Sequence, residues 1–221
     1  ERWVSGVVIR TFAQDRLVEF ATAAPRLHVV NALTNEEHPC QALADLLTVQ
    51  EKLGDLRGKS IAFVGDGYNV AASLVLTATA LGMDVRMAAP RGYMLPEPVV
   101  SEAAARAQSS GGKLTLVTDP VEAVTGAQAV YTDVWTSMGQ ERESERRRID
   151  FAGYQLNRAL MDHAATGSLV MHDLPAHRGD EITDEMMESE HSIIFDQAEN
   201  RVWAQAAVVA FLLGATGGLG V

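Results

Sequence analysis

The chain has 221 residues, 47% hydrophobic and 21% charged, enough for one large domain or one and a half smaller ones around a packed core. A formal net charge of -11 argues against general attraction to nucleic acid or an acidic membrane surface, so any anionic ligand must be met by a few local arginines. The single cysteine, Cys40, excludes an intramolecular disulfide and fits a reducing cytoplasm, and no run approaches the ~18 apolar residues of a membrane span.

In chain order, residues 4–10 read as a strand ending in the cation Arg10, 13–23 as a short amphipathic helix and 27–30 as a second strand. A polar loop over 31–37 follows. His38-Pro39 then opens a helix to Leu53, with Pro39 in the first turn, where its missing N–H is no loss. Ser60–Val64 is a short apolar run of the kind a buried parallel strand shows. Gly65-Asp66-Gly67 is a turn, and 69–81 is a helix with Gly82 just past its end. From there strands at 85–89, 114–117, 129–132 and 169–172 alternate with helices at 98–108, 120–124, 156–163 and 184–189. The mixed-charge run 141–148 reads as a solvated helix face, 193–195 as the last strand, and 198–213 as a closing apolar helix before a glycine-rich tail. Alternation of this kind predicts an α/β fold with doubly wound parallel sheets, in which ligands sit outside the carboxyl ends of the strands.

The candidate residues therefore stand at strand ends. Gly65-Asp66-Gly67 lacks the third glycine of a dinucleotide fingerprint, since Val70 occupies that position, and no acidic residue ends the next strand. Asn69, an amide at a helix start beside the strand ends, suits a carboxylate. Asp133 ends its strand ahead of Ser137-Met138-Gly139; a carboxylate there suits an ammonium, and the glycine-containing loop suits a lid. His38 and Gln41 lie one helical turn apart near the end of the Arg10 strand, a grouping of donors suited to an oxyanion. Arg201 is placed at the head of the last helix, where it gains nothing from the macrodipole, which hints at a ligand or an internal ion pair. His172-Asp173 ends another strand. No second ligand stands at metal spacing from His172, so no metal is assigned.

Together these segments resemble the ornithine carbamoyltransferases of the aspartate/ornithine carbamoyltransferase superfamily. The resemblance rests on Asn31-Ala32-Leu33 with His38-Pro39-Cys40-Gln41, on Gly65-Asp66-Gly67 with Asn69, and on Asp133-Val134-Trp135-Thr136-Ser137-Met138-Gly139. Leu174-Pro175-Ala176 and Glu199-Asn200-Arg201 complete it, in the family's order and spacing. It implies transfer of the carbamoyl group of carbamoyl phosphate to the side-chain amine of ornithine, giving citrulline and phosphate without a cofactor. It implies carbamoyl phosphate binding by Arg10, His38, Pro39, Cys40, Gln41, Asp173, Leu174 and Arg201, with Arg10, His38, Asp173 and Arg201 in catalytic roles. Leu33, Asn69, Asp133, Ser137 and Met138 are the implied ornithine residues. The implied organisation is the C-terminal part of a carbamoyl-phosphate domain over 1–53, an ornithine domain over 54–197, and a helix over 198–221 returning to the first. It further implies a cytoplasmic enzyme of arginine biosynthesis that forms trimers.

The sequence departs from the family in three places. The phosphate-gripping Ser-x-Arg-Thr motif does not occur in these residues, and the opening on Glu1-Arg2-Trp3 directly before a strand is what a cut chain would show. Tyr68 stands where the family usually has Asn, and Asp173 where it has Cys. A carboxylate at 173 would stabilise the ammonium form of the attacking amine, or itself accept a proton. Two other readings stay open: a catalytically silent relative that binds an amino acid or a protein, and a carbamoyltransferase for another amine such as putrescine.

Overall fold

The computed structural model describes residues 1–137 and 139–214. The predicted Met138 and the tail residues 215–221 lie outside that range. In chain order the elements are β1 (Gly6–Arg10), α1 (Gln14–Ala23), β2 (His28–Leu33), α2 (Pro39–Leu53), β3 (Ser60–Val64), α3 (Asn69–Ala80), β4 (Asp84–Ala88) and α4 (Glu97–Ser110). They continue with β5 (Lys113–Val117), α5 (Pro120–Val124), β6 (Ala129–Thr132), α6 (Ser144–Asp150), α7 (Arg158–Met161), β7 (Leu169–His172), α8 (Asp184–Met187) and α9 (Ile194–Leu212).

Two parallel sheets result. β1 and β2 form a two-stranded sheet, and a five-stranded sheet runs in the order β5-β4-β3-β6-β7. Strands β3, β6 and β7 are buried along their whole length, which is why they read as short, mostly apolar runs. The pleat sends Ile61, Phe63, Tyr131 and Met171 into one core against α3, and Ala62, Val64, Val130 and Val170 into a second core with Ile182 and Ile194. Strand order reverses at β3, where β4 lies on one side and β6 on the other. The crevice between the carboxyl ends of β3 and β6 is thus the switch point.

Gly67 is required by packing. A Cβ there would stand 2.5 Å from Leu95 N and from the Met94 carbonyl carbon, while its own N–H donates to Tyr93 O at 2.7 Å. The close approach of that backbone accounts for the glycine.

Three expectations need correction. Residues 193–195 are not a strand. Ile193 caps α9, which begins at Ile194, with Ile194 buried in the second core and Phe195 exposed. Arg201 consequently lies two turns inside α9 rather than at its head, and the macrodipole argument for it lapses. The run 141–148 is not wholly solvated either. Arg147 is buried, with Nη1 donating to Asp66 Oδ2 at 2.5 Å and to Trp135 O at 3.0 Å. Smaller shifts follow tertiary packing: β2 continues through Leu33, and the expected helix over 156–163 shrinks to α7 because Leu156 bridges to Ile182.

Candidate active site

The switch-point crevice opens into a cleft of about 630 Å³. Its walls include Arg10, Leu33, His38, Gln41, Asn69, Asp133, Ser137, Asp173, Leu174 and Arg201, so the structure brings ten of the predicted site residues together. Pro39 and Cys40 do not line it. Pro39 opens α2, and Cys40 is buried, with Sγ 3.4 Å from Asn31 O and its own carbonyl accepting from Gln205 Nε2.

One wall comes from the N-terminal module and α9. Arg10 ends β1, Leu33 ends β2, and His38 caps α2 so that Gln41 follows one turn later on the same face. α9 packs along α2, and Arg201 Nη1 donates to Gln41 Oε1. Gln41 Nε2 donates in turn to the fully buried Asp45 at 2.7 Å. Asp45 also accepts from Gln197 Nε2 and Tyr131 OH, each at 2.9 Å. Burial pushes the Asp45 carboxyl up to about 6, with those three donors and Arg201 acting against it. Burial pushes His38 down to about 3, helped by the positive charges of Arg201 and Arg10. His38 is therefore a neutral imidazole, and its Nδ1 is buried without a partner.

The other wall comes from the five-stranded sheet. Asn69 is the first residue of α3; its Nδ2 donates to Thr34 O at 2.7 Å and its Oδ1 accepts from Val70 N at 2.9 Å, tying this wall to the loop after β2. Asp133 follows β6, and Asp173 and Leu174 follow β7. Leu174, with φ 62, turns the chain at the cleft edge. His172 is fully buried. Its Nδ1 accepts from Leu174 N at 2.9 Å, its Nε2 faces Glu181 Oε1 at 3.1 Å, and its own N–H donates to Gln197 Oε1 at 3.0 Å. Burial and the neighbouring Asp133 push the Asp173 carboxyl well above its ordinary range, toward the neutral acid rather than the carboxylate expected from sequence.

Sequence reasoning missed Asp45, Arg147, Glu181 and Gln197. Asp45 carried a signal: a lone carboxylate in the apolar run Ala42–Leu47 of a helix. Arg147 is one of three successive arginines, and nothing local distinguishes it from its neighbours.

Comparison with known proteins agrees with this geometry. The family model for the carbamoyl-P binding domain of aspartate/ornithine carbamoyltransferases matches residues 1–51, and that for the Asp/Orn binding domain matches 57–212. An ornithine carbamoyltransferase of Gloeobacter violaceus is 52% identical over 214 residues, covering 96% of this chain and 68% of that protein. One from Acidothermus cellulolyticus is 49% identical over 220 residues, covering 100% and 70% respectively. The solved ornithine carbamoyltransferase of Pyrococcus furiosus superposes with a TM-score of 0.93 at 46% identity, over 96% of this chain and 68% of that one. With both family models matched in order and a relative about half identical over 96% of this chain, the chain belongs to the aspartate/ornithine carbamoyltransferase family.

Proposed function

We propose that the cleft transfers the carbamoyl group of carbamoyl phosphate to the side-chain amine of ornithine. The observation that carries this reading is the pairing of two unlike walls in one cleft. One presents Arg10, His38, Gln41 and Arg201; the other presents Asn69, Asp133 and Ser137. The first suits a phosphorylated carbonyl compound, because two guanidiniums and a neutral imidazole are donors where negative charge develops. The second suits an α-amino acid, with Asp133 for the ammonium and Asn69 for the carboxylate end, which favours ornithine over a plain diamine such as putrescine.

On this reading the deprotonated side-chain amine attacks the carbonyl carbon, a C–N bond forms, and the tetrahedral oxyanion is met by Arg10, His38 and Arg201. Collapse breaks the C–O bond to phosphate, which leaves, and the nitrogen gives its proton to solvent or to the departing phosphate. Leu33 and Leu174 shape the cleft, Ser137 lines its ornithine side, and Met138 is the further ornithine residue that the family resemblance implies. Residues 1–53 and 54–197 then act as the carbamoyl-phosphate and ornithine modules, joined by α9. The same reading makes the protein a trimer-forming cytoplasmic enzyme of arginine biosynthesis.

Citrulline formation from ornithine and carbamoyl phosphate is the test. It is run on these 221 residues and on the same residues joined to the N-terminal segment of a longer relative. Turnover is expected in at least the joined form, with Arg201→Gln lowering kcat roughly 10²-fold or more and Asp133→Asn raising the KM for ornithine. No citrulline from either form overturns the assignment.

A further inference from the structure

β6 and β7 are neighbouring parallel strands whose last paired residues are Thr132 and His172. The next residue on each strand therefore lands beside the other, and both are aspartates. Both carboxyls line the same cleft, close enough that, after burial, the charge of Asp133 is what pushes the Asp173 carboxyl up. A hydrogen bond between two carboxyls requires a proton, because an ionised carboxylate only accepts.

The surroundings favour keeping that proton. Asp133 is 8% exposed and the Asp173 side chain 10%, so two full charges there would be poorly solvated. Asp45 from α2 and Glu181 from the segment before α8 add negative charge, and Tyr131 from β6 donates to Asp45. His172 Nδ1 stands 3.6 Å from Asp173 Oδ1 but already accepts from Leu174 N, so it offers Asp173 no proton. Arg10, His38 and Arg201 line the same cleft from the N-terminal module and α9. Asp173 Oδ1 is buried without a hydrogen-bond partner, on a residue that lines the cleft.

Resting on the reading that the cleft takes an α-amino acid, we infer that Asp133 and Asp173 share one proton in the open cleft and release it when the amino acid's ammonium docks against them. No covalent bond to carbon changes. One carboxylate and one carboxylic acid meet an ammonium, become two carboxylates against that ammonium, and pass one proton to solvent. The cation takes over the electrostatic role of the shared proton. Asp173 is then a specificity-determining residue: it makes amino-acid affinity climb with pH by up to about tenfold per unit until the pair is ionised in the open state. A thiol at this position, as the family carries, lacks that exchange with Asp133.

Isothermal titration with norvaline, which has the α-amino acid skeleton of ornithine without its side-chain amine, tests this at neutral pH in two buffers of different ionisation enthalpy. The expected result is a buffer-dependent heat corresponding to about one released proton, abolished in Asp173→Asn, whose amide can donate to Asp133 but does not titrate. Asp173→Cys supplies the same comparison if the amide variant folds poorly. A buffer-independent heat in the unaltered protein, or the same release from Asp173→Asn, overturns the inference. Infrared spectroscopy of the unliganded protein reads the pair independently of binding. A protonated-carboxyl stretch at neutral pH, lost in Asp173→Asn, supports the shared proton, and its absence overturns it. If norvaline does not bind, the amino-acid reading of the cleft fails, and the infrared band still decides whether the shared proton exists.

Discussion

Gln41 has an amide with two unlike ends, and Asp45 decides which way it points. An ionised Asp45 only accepts, so Gln41 must turn Nε2 toward it and Oε1 toward Arg201 and the cleft. Asp45→Ala would leave Gln41, Gln197 and Tyr131 without their buried acceptor, destabilising the protein by about 3 kcal/mol or more; the midpoint of urea unfolding reads this. The same cluster fixes the pH dependence of stability. His38, held down to about 3 from an ordinary 6.5, stays neutral in the folded chain while the unfolded chain protonates, so its contribution is lost as pH falls below about 6.5. Asp45 is raised to about 6 from 3.8, so its contribution is present at low pH and lost as pH rises through about 6. Asp133 and Asp173, also raised, act in the same sense as Asp45. Between about pH 4 and 6 the raised carboxyls and His38 therefore pull the urea midpoint in opposite directions. His38→Gln should make the midpoint fall more steeply as pH rises through this window and Asp45→Asn should make it fall less steeply; unchanged slopes would contradict the assignment.

The turn after β3 and the loop after β6 depend on α6. Arg147 reaches from α6 to Asp66 in the turn and to Trp135 O in the loop, with its guanidinium carbon 4.9 Å from the Tyr93 ring centre and Trp135 stacked on Phe151 at 5.8 Å. Arg147→Met removes one partner of a buried ion pair and is expected to cost about 3–5 kcal/mol. Gly67→Ala, which drives a methyl into the 93–95 backbone, is expected to cost about 1–3 kcal/mol; both are read by thermal or urea unfolding. These dependences also mark what the sequence could and could not disclose. β3, α5, β6 and β7 were legible to the residue because buried parallel strands are short apolar runs, and Asp119-Pro120 signals a helix start. The strand ends at Asp133 and Asp173 could be picked out for the same reason. Residues 193–195 misled because three residues with one side buried and one exposed fit a strand and a helix equally well, and the packing of Ile194 decides. Arg147 is indistinguishable from its neighbours until α6 lies against Asp66. Asp133 and Asp173 become neighbours only through the pairing of β6 with β7, which no local pattern records.

At the scale of the whole molecule, the N-terminal sheet and α9 leave apolar surface open. α1 has no buried residue, and Trp3, Val8 and Phe12 are exposed along the β1 side. On α9, Val202, Trp203 and Phe211 are exposed, Phe211 at 72%. A net charge of -11 opposes association in general, yet charge repulsion between exposed groups is screened within a Debye length, whereas apolar contact is not. Self-association of these residues should therefore strengthen with salt, the opposite of what charge pairing would give. Sedimentation velocity across a concentration series, at low and high salt, reads this directly, and an environment-sensitive dye such as ANS should fluoresce on the folded chain. Phe12→Ser combined with Phe211→Ser should lower both signals while changing stability by no more than about 0.5 kcal/mol per site, because neither side chain contributes to a core. A chain that stays monomeric at every concentration and salt, without dye fluorescence, would mean that the exposed side chains are too dispersed to act as one surface. Lower association accompanied by a large stability loss would instead place Phe12 or Phe211 in the packing of the fold.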